Sequence, residues 1–400
     1  MDKIDELLTR GVDTVYPSKN ELEKLLRSGK KLTLYQGFDP TGKELHIGHM
    51  VGFRKLRQWQ DLGHRVIFLI GDGTGQAGDP SGKTKSRDKF FTRDELRKNA
   101  TDYVKQAGKI VRFEGENPVE IKYNGDWLNK LSLTDILDLA GQFSVQQLIE
   151  RDLFQQRIKN KEDINLREFL YPLLQGYDSV TMDVDLELGG SDQTFNMLAG
   201  RTLMKKMKNK DKFVMTTPLL TDARGVKIGK TEGNVIGLTD KPEDLYGKTM
   251  GLPDDVIVKG LEYLTDVPMD EVKKIENELN NGENPVTYKK RLAFEIVKQL
   301  NSESQAKQAQ EHFERTVQQK EMPNEVPLIK LPPSLASGAT IADVLTGLEL
   351  ANSKSEAKRL IEQGGVSVDN ETIIDPNAAF ESKDEVLIKV GKRKFVKVKS

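Results

Sequence analysis

Apolar positions along the chain follow two periods, and their order predicts a sheet flanked by helices. KLTLYQGF (31–38) alternates as a half-buried strand does and runs into a Pro40-Thr41-Gly42 turn. Over 46–64, Ile47, Met50, Val51, Phe53, Leu56 and Trp59 recur near helical spacing. HRVIFLIGDG (64–73) is a short apolar run closed by glycines, which suits a strand buried on both faces. Thr92 with Glu95 three residues on opens a helix over 92–108, because each side chain can satisfy a free backbone N–H of the other's segment. Strand, helix, strand and helix in close succession predict an α/β fold with an open, mostly parallel sheet.

Further along, SVQQLIERDLFQQRI (144–158) predicts a helix whose stripe of Val145, Leu148, Ile149 and Leu153 faces either the core or a second subunit. DVDLELGG (183–190) and FVMTTPLL (213–220) return to strand character, and 243–320 reads as helices, NPVTYKKRLAFEIVKQL among them. Prolines 323, 327, 332 and 333 interrupt that pattern and predict a linker. The last sixty or so residues read as a compact α/β module with a basic end. No internal repeat is visible.

Composition narrows this picture. At 400 residues the chain is too long for one core, and 36% hydrophobic with 31% charged residues is ordinary globular composition, so two or three domains are expected. VIFLI (66–70) is far too short to cross a bilayer, which argues against a membrane partner. The charged start MDKIDELLTRG lacks the apolar core of a signal peptide, and the absence of cysteine rules out disulfides and thiolate metal sites; a cytoplasmic location is expected. With a net charge of −1, any nucleic-acid partner must be held by local basic patches.

The chemistry starts in GFDPTGKELHIGHM (37–50), which places two of the chain's four histidines, His46 and His49, on one helical turn behind a Pro-Thr-Gly loop. Turns between a strand's C-terminal end and a helix N-terminus are where open α/β sheets bind nucleotides, and two imidazoles at i, i+3 can both donate to phosphate oxygens. Gly48 between them would let a flat ring approach the backbone. GDPSGKTKSR (78–87) combines Asp79 with Lys83 and Arg87 but lacks P-loop spacing. ARGVKIGKTEGN (223–234) carries Lys227, Lys230 and Thr231 on a glycine-punctuated loop. Taken singly, these are equally two helix-start histidines and two solvated basic loops. On YPLLQGYD, Tyr171, Gln175 and Asp178 fall at i, i+4 and i+7, a polar stripe on an apolar helix that either faces solvent or meets a polar ligand.

HIGH (46–49) with KIGKT (227–231) resembles the two signatures of the class I aminoacyl-tRNA synthetases. YQGFDPT, GDPSGK, YPLLQGYD and GGSDQ are similar to the bacterial tyrosyl-specific branch, over nearly the whole chain and in family order. The resemblance implies activation of L-tyrosine by ATP, followed by transfer to the 3′ end of tRNA(Tyr). Thr41, His46 and His49 would then hold ATP phosphate oxygens, and Lys83, Arg87, Lys227, Lys230 and Thr231 the departing pyrophosphate. ATP binding is further implied for Gly37, Asp39, Gly48, Gly190, Asp192 (at the ribose) and Lys230, with Mg2+ accompanying the triphosphate and no dedicated protein site for it. Tyr171, Gln175 and Asp79 would hold the substrate ammonium, Gln193 would lie near its carboxylate, and Asp178 with Tyr35 would bind the phenol. Two departures stand out: Ile228-Gly229 replaces the commoner Met-Ser of the second signature, and Gln36 and Gly52 leave the contacts to the ATP ribose open.

NSKSEAKRLIEQGGVSVDNETI (352–373) resembles the S4-type RNA-binding module, which implies Ser353, Lys354, Lys358 and Arg359 beside backbone phosphates. KVGKRKFVKVK (389–399) holds six basic residues and no acidic one, so Lys392, Arg393 and Lys394 are expected to add salt-dependent phosphate affinity. The implied architecture is a Rossmann-like parallel-sheet catalytic domain (1–235) with a homodimer-interface insertion at about 120–165, an α-helical anticodon-side domain (236–322), a linker (323–337) and an S4-like RNA-binding domain (338–400). Three alternatives stay open on sequence: a tryptophan-specific relative, a nucleotidyltransferase using the same histidine pair, and an RNA-binding protein without catalysis.

Overall fold

The run Val66–Ile70 becomes the heart of a strand, β3 (Arg65–Ile70), with all five apolar residues buried. A strand covered by helices on both faces has no polar side to show, which is why its sequence does not alternate. Among the described residues, six strands form this sheet in the order β1 (Thr14–Tyr16), β6 (Phe213–Thr217), β5 (Leu186–Gly190), β2 (Thr33–Phe38), β3 and β4 (Glu120–Tyr123). All neighbours are parallel except β1, which runs antiparallel to β6. The chain builds outward from β2 through β3 to β4 and, later, from β5 to β6 in the opposite direction. The order therefore reverses between β2 and β5, and a crevice opens outside their C-terminal ends.

The structure is a computed structural model that describes residues 2–81, 90–228, 235–318, 328–332, 335, 338–351, 353–369, 371–380, 386–391 and 394–399. The chain divides into two compact units, 1–306 and 307–400. In the first, helices Pro242–Met250, Ile257–Leu264, Met269–Asn280 and Pro285–Leu300 follow the sheet. Ile257–Leu264 packs on the helix Ile47–Asp61, and Arg54 of that helix donates to Asp266 at 2.6 Å, so this part of the helical region braces the element that carries the paired histidines. In the second unit a sheet runs β7 (Leu328–Lys330), β11 (Lys394–Lys399), β10 (Val386–Val390), β8 (Val366–Val368), β9 (Glu371–Ile373), with β7 parallel to β11 and the rest antiparallel. Helices Ile341–Gly347 and Lys354–Glu362 close its core of Val344, Leu345, Ile361, Ile388 and Val398.

Four details differ from the sequence reading. β1 and β4 are edge strands of three and four residues, too short and too polar to register as runs. The helix expected over 144–158 is two, Val145–Ile149 and Asp152–Asn160, because Arg151 leaves helical geometry (φ −59°, ψ 127°) to bury its guanidinium over Phe154 and Phe195. The strand expected from 183 starts at Leu186, since Asp183 sits in the left-handed region (φ 50°) and ends the preceding helix. The stretch 323–337, read as linker, supplies β7 to the second sheet. No described helix is long and apolar enough to cross a membrane.

Candidate active site

A cleft of about 870 Å³ occupies the crevice between β2 and β5. One end is built on the start of the helix Ile47–Asp61. His46 is its N-cap: Nδ1 accepts from the Gly48 N–H at 3.2 Å, while His49 Nδ1 accepts from the His46 N–H at 3.2 Å. This is a capping box made of two imidazoles, with ring centroids 4.1 Å apart. An Nδ1 that accepts puts the proton of a neutral ring on Nε2, which holds for His46; His49 Nδ1 also lies 3.3 Å from the His46 carbonyl. Both line the cleft, as do Gly37, Thr41 and Gly48. A side chain at 48 would meet the His46 ring at 3.0 Å, so glycine is required there by the histidine itself as well as by any ligand.

Asp39, at the end of β2, accepts from Thr74 Oγ1 at 2.7 Å and from the Tyr171 hydroxyl at 2.9 Å. It thereby joins the end expected to bind ATP to the end expected to bind the amino acid. Beyond β5, a Cβ on Gly190 would lie 2.8 Å from Asp192 Oδ1, and Asp192 in turn accepts from Lys227 Nζ at 2.8 Å. The lysine expected at pyrophosphate thus lies against the acid expected at ribose. Lys83, Arg87, Lys230 and Thr231 fall outside the described residues.

The stripe on the helix Leu166–Met182 does not face solvent: Tyr171 and Asp178 are buried and Gln175 is half-buried, all on the cleft. Asp178 accepts from Trp127 Nε1 at 2.8 Å and Asn124 Nδ2 at 2.9 Å. Two carboxylate oxygens with two donors still have lone pairs to offer. Burial pushes the Asp178 carboxyl well above its ordinary range, and those two N–H donors oppose the shift. Burial likewise raises the Tyr35 and Tyr171 hydroxyls, with Glu187 and Asp39 respectively the next cause, so both stay protonated donors. Tyr35 Oη lies 2.9 Å from Ser179 Oγ. Gln175 Nε2 donates to Glu187 Oε1 at 2.8 Å, and a carboxylate can only accept, so the Gln175 carbonyl is left to accept from a cation. Asp79 takes N–H bonds from Ser81 (2.9 Å) and Gln193 (2.8 Å) and lines the same wall.

Thr74, Tyr103, Asn124, Trp127, Ser179, Glu187 and Lys212 complete or back the site and were not read from sequence. Only Glu187, an acid inside the apolar run LELGG, and Lys212, a charge at the start of a buried strand, carried a signal. Tyr103 shows how burial works here: its hydroxyl is pushed up to about 12.

In the second unit, Ser353 caps the helix Lys354–Glu362 by accepting from the Glu356 N–H at 3.2 Å. Lys358 and Arg359 are exposed, whereas Lys354 is paired with Asp343 at 2.5 Å and holds that carboxyl down at about 2. Gly364 (φ +68°) makes the turn into β8. Lys392 and Arg393 lie outside the described residues, as does the side chain of Lys394.

Comparison with known proteins agrees over both units. Residues 27–318 match the family described as tRNA synthetases class I (W and Y), and 318–398 match a tyrosine–tRNA ligase SYY-like C-terminal domain. A tyrosine–tRNA ligase of Thermotoga maritima is 40% identical over 98% of this chain and 96% of its own length. One from Methylococcus capsulatus is 41% identical over 100% and 99%. Among solved structures, a C-terminally truncated mitochondrial tyrosyl-tRNA synthetase of Coccidioides posadasii aligns with TM-score 0.62 at 27% identity, covering 78% of this chain and 91% of that one. A tyrosyl-tRNA synthetase of Archaeoglobus fulgidus complexed with L-tyrosine shares the fold at TM-score 0.61 and 20% identity, over 77% of this chain and 100% of its own.

Proposed function

Because this chain belongs to the tyrosine–tRNA ligases of class I, we propose that its cleft positions tyrosine and ATP for adenylate formation through the residues just described. The enzyme joins tyrosine to tRNA with ATP as substrate. In the first step a tyrosine carboxylate oxygen attacks the α-phosphorus and pyrophosphate leaves; in the second a 3′-terminal ribose hydroxyl attacks the carbonyl and AMP leaves. Neither step needs covalent help from protein, so orientation and charge stabilisation carry the catalysis.

The reading assigns His46 and His49, with Thr41, to the phosphate oxygens on which charge grows. Loss of one such donor costs ~3 kcal/mol of barrier, about a hundredfold in rate. Lys227, with Lys83, Arg87, Lys230 and Thr231, would take the pyrophosphate. Asp192, Gly190, Gly37 and Gly48 would hold the nucleoside. Asp79, Gln175 and Tyr171 offer oxygens to the ammonium, and Gln193 borders the carboxylate. Asp178 and Tyr35 would bind the phenol; phenylalanine would forfeit both bonds and set a ring C–H against buried polar groups, which is costly enough to make editing unnecessary. Magnesium belongs to the same reading. The described groups at the phosphate end are imidazoles and a hydroxyl with a lysine beyond, so the ion would arrive with the triphosphate and would supply charge neutralisation.

We extend the proposal to a cytoplasmic homodimer that binds tRNA(Tyr). Leu133, Leu137, Val145 and Leu166 are 61–75% exposed within or beside the 120–165 insertion, an apolar surface that supports burial against a second copy. The helices after 236 would serve the anticodon side, and the module from 338 the RNA backbone. The observation carrying the reading is that the paired imidazoles and a buried carboxylate that takes two N–H bonds line one cleft. ATP–pyrophosphate exchange with each amino acid in turn tests it: exchange is expected with tyrosine, and exchange driven by tryptophan but not tyrosine would overturn it.

A further inference from the structure

Behind the proposed tyrosine pocket lies a set of linked polar groups, of which Glu187 also borders the cleft. Lys212, Glu187 and Ser179 are all buried, beneath Tyr35. Lys212 Nζ is bonded to Glu187 Oε2 and donates to Ser179 Oγ at 2.8 Å, and Ser179 Oγ lies 2.9 Å from Tyr35 Oη. Burying an ion pair this completely is a weak way to gain stability, so its geometry invites a different account.

The protons along this chain can be assigned. An ammonium has no lone pair and must donate, so Ser179 Oγ is an acceptor toward Lys212. The serine proton then has two acceptors in reach: Tyr35 Oη at 2.9 Å, and Glu187 Oε2 at 3.4 Å, which already takes the ammonium. Distance and valence both favour Tyr35. With its oxygen accepting from Ser179, and the nearby Glu187 carboxylate already taking Lys212 and Gln175, Tyr35 has its own proton to give outward, into the cleft it lines. That is what a bound phenol needs. With its O–H given to Asp178, whose two oxygens already accept from Asn124 and Trp127, the phenol oxygen has a lone pair for a donor on the other side. Burial keeps Tyr35 protonated for the purpose.

We propose that Lys212, acting through Ser179, is a positioning residue for tyrosine selection: it sets the direction of a hydrogen-bond chain that ends in the Tyr35 hydroxyl pointing at the substrate phenol. Without the ammonium, the Ser179 proton turns to Glu187 and Tyr35 donates backward, which leaves the phenol oxygen unpaired. The inference rests on Tyr35 and Asp178 holding the phenol, as proposed above.

The experiment compares tyrosine and phenylalanine activation by pyrophosphate exchange in the full chain and in K212M, S179A and Y35F. K212M is expected to lower the kcat/KM ratio of tyrosine over phenylalanine about tenfold, through KM for tyrosine, with phenylalanine activation unchanged. S179A, which removes one oxygen and leaves the ion pair, should lower the ratio about threefold and serves if K212M does not fold. Adding either change to Y35F should alter the ratio no further, because the chain has then lost its end. Equal loss of tyrosine and phenylalanine activation, an S179A ratio that does not move, or effects that multiply with Y35F would overturn the relay. An unchanged ratio in Y35F itself would instead count against the pocket reading beneath it.

Discussion

His46 performs two tasks with its two ring nitrogens, and they can be separated. Nδ1 closes the N-terminus of the helix Ile47–Asp61 through the Gly48 N–H, while the reading above assigns Nε2–H to a phosphate oxygen. His46→Ala should therefore lose about 1 kcal/mol of stability with the cap, as well as roughly a hundredfold in adenylate formation. His46→Asn offers a capping oxygen on a shorter side chain that does not reach as far as Nε2. It is expected to regain the parent's melting temperature and leave the rate depressed, as read by thermal unfolding beside single-turnover adenylate formation. Recovery of both by asparagine would mean that the histidine matters only as a cap. The histidine pair itself was legible in sequence, since two imidazoles one turn apart after a strand are conspicuous. The residues that give the pocket its polarity were not. Asn124, Trp127 and Lys212 reach Asp178 and Ser179 from 33 to 54 positions away, and no local spacing encodes that distance.

Among elements, legibility followed burial. β3 is covered on both faces and wrote itself as an apolar run, β2 read as an alternating strand, and the capping box at Thr92 and Glu95 marked its helix start correctly. The edge strands β1 and β4 have little apolar surface to hide and left no run to read. Arg151 broke a helix that periodicity alone would continue, because burying its guanidinium between aromatic rings outweighed one more turn. In the second unit the helix Lys354–Glu362 carries three basic residues that sequence could not rank. Structure separates them: all three are exposed, and Lys354 is also paired with Asp343. If this helix lies along RNA phosphates, K358A/R359A should weaken tRNA binding and reduce the slope of log K against log salt by about one to two. K354A should change the slope less, since its charge is already neutralised within the protein. Filter binding over a salt series distinguishes the three; a larger effect from K354A would mean that the Asp343 pair opens on binding.

For the whole molecule, the division into units bears directly on how the two steps of the reaction are distributed. Every described residue assigned to tyrosine or ATP lies within 1–306, including both cleft walls and the bracing helices. The second unit has its own core. Where to cut is a structural question. A truncation at 338, the module boundary suggested by sequence, would leave β7 behind without β11, exposing an unpaired strand edge that invites aggregation. A chain ending at 318, where the synthetase family match ends, removes the second sheet complete. That truncated protein should retain pyrophosphate exchange within about twofold of the parent, because adenylate formation draws only on the first unit. Its charging of tRNA should fall by an order of magnitude or more at moderate salt, as expected when several phosphate contacts are lost together. Raising the tRNA concentration should recover much of the charging rate, since the loss lies in binding and leaves the transfer chemistry intact. If exchange and charging instead decline in proportion, the C-terminal unit acts on the cleft itself, and the separation of amino-acid activation from RNA capture does not hold.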